Sequence, residues 1–204
     1  MIVARARVVV LVSGGGTNLQ ALIDASSSAD YPANVVAVGA DRAGVAALER
    51  AVTADIPTFI AAPNQYNDHE SWDIALAEST AVYRPDLVVL AGFMRLVGPV
   101  FLERFPGQII NTHPALSPAF PGMHGPRDAL SYGVKITGCT IFVVDSGIDT
   151  GPIVAQVAVP VLDDDDEFSL HERIKEHERE LLVQTVADLV TDKYRIEGRK
   201  VVRR

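Results

Sequence analysis

Cysteine is nearly absent from this sequence of 204 residues, because Cys139 is the only one. The chain cannot form an internal disulfide, which is typical of proteins that work in a reducing cytoplasm. Cys139 lies within an apolar run, so we expect a small buried hydrophobic residue rather than a reactive thiol. The five histidines are scattered without the spacing of zinc ligands, and we expect no metal site.

The sequence also lacks an excess of positive charge and any long apolar run. The formal net charge is −8, whereas a nucleic-acid-binding protein usually presents a basic face. No apolar stretch approaches the roughly 20 residues that cross a bilayer. The apolar run near the N-terminus leads into glycines rather than into a cleavage site, so no signal peptide is predicted. We therefore expect a cytoplasmic protein whose partners are small molecules, with neither a nucleic acid nor a membrane among them.

Apolar strands and amphipathic helices alternate through the first half of the sequence. The predicted strands cover residues 7–13, 35–40, 57–60 and 87–91, and the predicted helices cover residues 18–25, 45–54 and 68–83. Continuous apolar strands separated by helices indicate a parallel sheet that is buried on both faces. Because the length fits a single domain, we predict the α/β class with a doubly wound, mostly parallel sheet.

The second half predicts an antiparallel extension of that sheet. A short strand, a proline-rich loop and a short helix are predicted at residues 108–111, 113–125 and 127–132. Two strands at 136–144 and 153–161 are joined by a turn at 145–152, and an acidic turn follows at 163–167. A long helix is predicted over 170–189, with Ser169 as its N-cap and Glu172 completing a capping box. The tail at 194–202 predicts either an edge strand or a mobile segment.

A glycine-rich segment at residues 13–18 follows the first predicted strand and opens the first helix. Its three glycines allow a sharp turn and a close approach of a ligand to the backbone amides. The helix N-terminus adds unpaired N–H groups and the positive end of the helix dipole, a combination that binds phosphate. The segment matches neither the dinucleotide fingerprint nor the nucleotide P-loop, which carries a lysine. It predicts a site for one phosphate, and the alternative is an ordinary tight turn between strand and helix.

Three polar residues predict a second site, and their side chains are of types that can catalyse a reaction. Asn111 and His113 are two apart on an extended segment at the end of a strand, so their side chains should face the same side. Asp149 lies in the turn between two later strands and could reach the same edge. An amide and a protonated imidazole can stabilise an oxyanion, and a carboxylate keeps the imidazole charged and oriented. This set favours direct acyl transfer to an amine, whereas taken singly His113 could cap a loop and Asp149 could form an Asx turn.

Five stretches within residues 7–190 carry a resemblance to a known family. They are residues 13–20, 90–95, 111–116, 120–125 and 149–153. In order and spacing they resemble the folate-dependent formyltransferase family, in particular its members that formylate glycinamide ribonucleotide in purine synthesis. The resemblance implies a Rossmann-like formyltransferase fold in a single domain, with a phosphate-binding half at 1–92, a folate-binding and catalytic half at 93–190 and a tail at 191–204.

The resemblance also implies a reaction and its residues. A formyl group would pass from the co-substrate 10-formyltetrahydrofolate to the amine of glycinamide ribonucleotide, without a metal, in a monomer or a homodimer. Arg95 would face the glutamate carboxylate of the folate, and Glu178 would bind the glycinamide amine. The implied catalytic residues are Asn111, His113 and Asp149. The implied substrate-binding residues are Gly15, Gly16, Thr17, Asn18 and Glu178, and the implied folate-binding residues are Met94, Arg95, Leu96, Val97, Asn111 and Asp145.

Three positions, His69, Ser117 and Ala119, depart from what is common in that family, and they concern phosphate or folate contacts rather than the catalytic set. Relatives with the same chemistry and different acceptors are alternatives. A methionyl-tRNA formyltransferase would add a C-terminal tRNA domain, and a formyltetrahydrofolate hydrolase would add an N-terminal regulatory domain. A nucleotide amino-sugar formyltransferase and a non-catalytic module that binds a phosphorylated metabolite are two further candidates.

Overall fold

The computed structural model describes residues 4–192 and 194–203, which form one nine-stranded sheet with helices on both faces. The strands are β1 (Ala6–Val12), β2 (Ala33–Ala40), β3 (Thr58–Ile60), β4 (Leu87–Leu90), β5 (Ile109–His113), β6 (Ile136–Val143), β7 (Ile153–Pro160), β8 (Tyr194–Glu197) and β9 (Lys200–Arg203). The helices are α1 (Thr17–Ser26), α2 (Ala46–Thr53), α3 (His69–Ala81), α4 (Pro99–Arg104), α5 (Gly125–Tyr132) and α6 (Glu167–Thr191), with a 3₁₀ turn at Pro63–Gln65. Residues 1–3 of the predicted phosphate-binding half lie outside the described residues, and so do residues 193 and 204 of the predicted tail.

The strand order is β3-β2-β1-β4-β5-β6-β7-β9-β8. The five strands from β3 to β5 are parallel to their neighbours, and antiparallel pairing begins between β5 and β6. The prediction of a doubly wound, mostly parallel α/β sheet with an antiparallel extension is confirmed. Within the described residues the tail forms the hairpin β8–β9 at the sheet edge, so the edge-strand alternative holds for it.

Strand β1 has a hydrophobic core on each of its faces, because successive side chains of a strand point to opposite sides. Val8, Val10 and Val12 pack with α1, α2 and α6, whereas Val9 and Leu11 pack with α3 and α4. All five side chains are at most 1% exposed. Burial of each contributes roughly 1.5–3 kcal/mol, which explains why the strand reads as a continuous apolar run instead of an alternating one.

Cys139 is fully buried in a smaller cluster with Val159, Leu170 and Ile174. Burial raises the pKa of its thiol to about 12, and the nearby negative charge of Glu178 acts in the same direction. The expectation of a small buried hydrophobic residue is confirmed.

Two features of the middle of the chain differ from the sequence-based prediction. β5 continues to His113 instead of ending at residue 111, because it stays paired with β6 as far as Thr140. The helix α4 was not expected, since a segment of six residues is too short to show a helical period.

The start of α6 is also different from the prediction. Ser169 as the N-cap is wrong, because Asp166 caps the helix and accepts a hydrogen bond from the N–H of Ser169 at 2.7 Å. Ser169, and not Glu172, completes the capping box. Asp and Ser are about equally good N-caps. Because the acidic run was predicted to be a turn, the helix was predicted to begin too late in the chain.

A buried carboxylate fixes the start of α4. Asp73 of α3 is 1% exposed and accepts hydrogen bonds from the N–H groups of Gly98 at 2.6 Å and Phe101 at 3.0 Å. N–H groups at the start of a helix have no partner within the helix, so this carboxylate supplies one. A Cβ at residue 98 would lie 2.6 Å from Oδ2 of Asp73, so any larger residue there would displace this carboxylate. The contact thereby anchors the end of the segment that links β4 to α4.

We expect Asp73→Asn to lower the free energy of unfolding by about 1–3 kcal/mol, because one buried N–H would lose its acceptor. Urea unfolding followed by circular dichroism measures the change. Glu78→Gln, on an exposed turn of the same helix, is the matched control and should change stability by less than about 0.5 kcal/mol. Equal stability of Asp73→Asn and the wild type would contradict this role.

Candidate active site

His113 ends β5, and its ring lies between two hydrogen-bond acceptors. Nε2 is 2.9 Å from the carbonyl oxygen of Phe120, and Nδ1 is 3.5 Å from Oδ2 of Asp149. Carbonyl and carboxylate oxygens only accept, so the ring satisfies both only when each nitrogen carries a hydrogen. The side chain of His113 is 4% exposed and that of Asp149 is 12% exposed. The surroundings are therefore complementary to an imidazolium that is largely shielded from water.

The loop that carries Asp149 starts away from His113 and folds back to it. β6 runs antiparallel to β5, pairs with His113 through Thr140 and ends only at Val143. Asp149 has a φ of 53°, in the left-handed region that Asp tolerates better than most residues. Its Oδ2 also accepts a hydrogen bond from the N–H of Gly122 at 2.7 Å. The carboxylate is thus held by a backbone amide while it faces the imidazole.

Asn111 lies on the same face of β5 as His113, because the two residues are separated by one position in a strand. It is partly exposed. Its side-chain amide has no hydrogen-bond partner among residues 4–192 and 194–203, and it can therefore donate to a ligand.

On the opposite face of β5, a buried carboxylate of α6 lies beside Thr112. Nδ2 of Asn18 donates to Oε2 of Glu178 at 2.9 Å and lies 3.4 Å from Oγ1 of Thr112. Glu178 is 5% exposed, and this burial raises the pKa of its carboxyl group. Hydrogen bonds from Asn18 and Thr112 oppose the effect only in part, as do the positive charges of His113 and Lys175. Because Thr112 stands between Asn111 and His113 in the strand, Glu178 lies at the same end of β5 as those two residues, on its other face.

Thr112 belongs to this group but is absent from the sequence-based set. Lys175 is absent from it too, and it acts on Glu178 only electrostatically, because its ammonium is bound to Glu172 at 2.7 Å. Lys175 lies three residues before Glu178 on α6, so helical spacing would have indicated it once Glu178 was known. Thr112 gave no separate signal, because it stands between Asn111 and His113 and points to the other face.

The glycine-rich segment turns where the sequence predicts. Gly16 caps α1 with a φ of 73°, and a Cβ there would lie 2.6 Å from Cβ of Ala47. Gly14 and Gly15 face open space, since a Cβ on either would meet nothing within 4 Å. In the part of the chain that the structure describes, the N–H groups of Gly15 and Gly16 have no partner. With the N–H groups of the first turn of α1, they form a row that an anion can occupy.

The segment between β4 and α4 presents two apolar side chains to solvent. Met94 is 51% exposed and Leu96 is 59% exposed, while Val97 packs against the core beside α3 and α4. The N–H of Met94 donates to Oγ of Ser13 at 2.8 Å, and the carbonyl of Leu96 accepts from Nε2 of His69 at 3.0 Å. A fixed backbone with exposed apolar side chains suits the flat apolar part of a ligand.

Arg95 is bound through one of its nitrogens to a buried carboxylate. Its Nε donates to Oδ2 of Asp41 at 2.9 Å, and Arg42 binds the same oxygen at 3.0 Å. Burial alone would raise the pKa of Asp41, but the hydrogen bonds from Arg42, Arg95 and Ser13 outweigh it and hold that pKa below its usual value. The side chain of Arg95 is 45% exposed and lines a cleft of about 820 Å³.

Asp145 forms a local turn at the start of the loop that carries Asp149. Its Oδ1 accepts hydrogen bonds from the N–H of Gly147 at 3.0 Å and from the hydroxyl of Thr150 at 2.6 Å. These contacts shape the loop, so Asp145 has a structural task besides the folate contact that the resemblance implies.

The described residues hold neither a cluster of metal ligands nor a membrane-spanning helix. Within residues 4–192 and 194–203, no group of three or more His, Cys, Asp or Glu side chains could hold a metal ion. None of the helices in that part of the chain is long and apolar enough to cross a membrane.

Known proteins with similar sequences indicate the family of this chain. The chain matches the formyl transferase family over residues 6–186. It is 57% identical over 196 residues to phosphoribosylglycinamide formyltransferase of Mycobacterium tuberculosis (strain ATCC 25618 / H37Rv), a match that covers 96% of this chain and 90% of that protein. The enzyme of the same name from Escherichia coli (strain K12) is 39% identical over 171 residues, which cover 84% of this chain and 81% of that protein.

A solved structure agrees with these sequence matches. The crystal structure of glycinamide ribonucleotide transformylase 1 from Symbiobacterium toebii has a TM-score of 0.94 and 43% sequence identity to this chain. The match covers 97% of this chain and 93% of that one. From the family match, the sequence identities and the shared fold, the chain belongs to the formyl transferase family.

Proposed function

We propose that this chain transfers the formyl group of 10-formyltetrahydrofolate to the amine of glycinamide ribonucleotide. The products are formylglycinamide ribonucleotide and tetrahydrofolate, and the reaction is a step in the synthesis of IMP. The pairing of His113 with Asp149, with the unpartnered amide of Asn111 on the same face of β5 and buried Glu178 on the other face, carries this proposal. The names of the relatives at 57% and 39% identity support the same acceptor and reaction.

The reaction is a direct displacement at the formyl carbon. The neutral amine attacks that carbon, and the carbonyl oxygen becomes an oxyanion. The Asn111 amide donates to it, and so does Nε2 of the His113 imidazolium once the oxyanion replaces the Phe120 carbonyl as the acceptor of that nitrogen. The bond from the formyl carbon to N10 of the folate then breaks. The proton that the amine loses passes to N10 through water that Asp149 helps to organise.

Asp149 assists the reaction through His113. Its carboxylate faces Nδ1 and orients the ring, while the hydrogen bond from Gly122 fixes the position of the carboxylate. The mechanism needs no metal ion, because Asn111 and His113 supply the stabilising charge and hydrogen bonds. All of these residues come from one chain, so the reaction can run in a monomer or in each subunit of a homodimer.

The remaining groups bind the two substrates. The free N–H groups of Gly15, Gly16, Thr17 and Asn18 take the phosphate, and Glu178 takes the glycinamide amine. Met94, Leu96 and Val97 contact the folate ring system, with the Asp145 loop as the opposite wall. Arg95 keeps Nε on Asp41 and offers its terminal nitrogens to the glutamate carboxylate of the folate.

An absorbance assay with 10-formyltetrahydrofolate tests the proposed acceptor. We expect folate turnover only when glycinamide ribonucleotide is present, because the displacement needs its amine as the nucleophile. Turnover without the ribonucleotide would indicate a hydrolase instead. Folate binding without turnover would contradict the proposal and favour a nucleotide amino-sugar as the acceptor, and failure to bind folate would favour a non-catalytic module.

We expect Glu178→Gln to remove a pH dependence of stability. Because the pKa of Glu178 is raised in the folded protein, its contribution is complete below the ordinary glutamate pKa of about 4.3 and is lost as the pH rises through the raised value. The glutamine variant should therefore gain stability relative to the wild type as the pH increases above about 4. Urea unfolding at a series of pH values measures this difference.

The same variant also tests the role of Glu178 in substrate binding. KM for glycinamide ribonucleotide should rise roughly tenfold or more, because a charge-assisted hydrogen bond to the amine is lost, while KM for the folate should stay the same. Glu176→Gln, an exposed neighbour on α6, is the control and should leave both properties unchanged. A Glu178→Gln protein whose stability follows that of the wild type at every pH would show that burial does not perturb this carboxyl.

A further inference from the structure

Helix α2 holds the glycine-rich loop from behind through Ala47 and Arg50. Nε of Arg50 donates to the carbonyl of Gly15 at 2.9 Å, and a terminal nitrogen of the same guanidinium donates to Oε1 of Gln20 at 3.1 Å. The N–H of Ala47 donates to the carbonyl of Gly14 at 3.1 Å. One helix thus binds two successive carbonyls of the loop.

These two contacts decide where the amides of the loop point. In a trans peptide the C=O and the following N–H point in opposite directions. Because the carbonyls of Gly14 and Gly15 face α2, the N–H groups of Gly15 and of Gly16 face away from it. α2 packs against β2 and β3, whereas β4 and β5 lie on the other side of β1. The amides therefore turn toward the side of the molecule on which the candidate active site lies.

We infer that Arg50 is a positioning residue that orients the Gly15 and Gly16 amides for the phosphate of the acceptor. The inference rests on the proposed function, since it takes the phosphate to bind at this loop. Arg50 acts through the backbone and not by touching the phosphate. Arginine suits this task because its rigid fork binds the Gly15 carbonyl and the Gln20 side chain together, whereas the single ammonium of a lysine has no such fixed geometry.

The test compares two acceptors that differ only in the phosphate, glycinamide ribonucleotide and the corresponding ribonucleoside. In Arg50→Gln we expect kcat/KM for the ribonucleotide to fall about tenfold, mainly through KM, since one charge-assisted hydrogen bond to the loop is lost. The value for the ribonucleoside should stay the same. Arg179→Gln is the matched control, because Arg179 lines the same cleft as Arg50 and Thr17 but makes no contact with the Gly15 carbonyl.

Each remaining outcome has a distinct meaning. Equal losses in Arg50→Gln and Arg179→Gln would overturn the inference, because positive charge alone would then explain the effect. No loss in Arg50→Gln would overturn it as well. A wild-type protein that uses both acceptors equally well would refute phosphate binding by the loop, and so would contradict the proposed function instead of this inference alone.

Amide relaxation in the free protein separates positioning from direct contact with the phosphate. We expect order parameters near about 0.85 for Gly15 and Gly16 in the wild type and below about 0.6 in Arg50→Gln. Unchanged order parameters together with weaker ribonucleotide binding would overturn the inference, because Arg50 would then act on the ligand itself. An unchanged unfolding midpoint confirms that the variant is folded in either case.

Discussion

Strand β5 has a parallel neighbour on one side and an antiparallel neighbour on the other, and the candidate site depends on this change of direction. Parallel pairing with β4, and of β4 with β1, brings the ends of these strands to the edge where the glycine-rich loop begins. Antiparallel pairing with β6 allows the next loop to fold back and place Asp149 against His113. The register of β5 is equally important, because a slip of one residue would exchange Thr112 with its neighbours and bring the wrong side chains to each face.

Two carboxylates lie near the end of β5 in different surroundings, Asp149 partly exposed on one face and Glu178 buried on the other. Asp149 faces an imidazole and accepts a backbone hydrogen bond, so its negative charge has partners in the protein. Glu178 is enclosed by α1, β5 and α6, and burial raises its pKa. A charged carboxylate in such a place is costly unless it is paired, and an amine bound beside it would offset that cost. This cost is the physical reason for proposing that Glu178 binds the amine of the substrate.

Hydrophobic pattern was sufficient to predict the fold class. The unbroken apolar runs of β1 and β4 could belong only to strands buried on both faces, and the chain after residue 108 lacked that alternation of buried strands and helices. Cap residues and short sequence patterns predicted the ends of helices less well, as α4 and the N-cap of α6 show. A six-residue helix has no measurable period, and the prediction of Ser169 as the cap of α6 was wrong because Asp166, which was assigned to a turn, caps the helix.

The candidate site was predictable only in part, because its residues meet through tertiary structure. The spacing of Asn111 and His113 indicates a shared face, and the loop of residues 13–18 carries its own signal. The pairing of Arg95 with Asp41 and the support of Gly15 by Arg50 join residues 54 and 35 positions apart, and no local pattern indicates them.

A double-mutant cycle on kcat tests most directly whether Asp149 acts through His113. His113→Asn should lower kcat about 10²–10³-fold, as loss of one oxyanion donor does. Asp149→Asn should also lower it, and the double variant should lose no more than His113→Asn alone, because the carboxylate has nothing to act on once the imidazole is gone. If the two losses multiply instead, Asp149 and His113 act independently, and the proposed coupling of the carboxylate to the imidazole is contradicted.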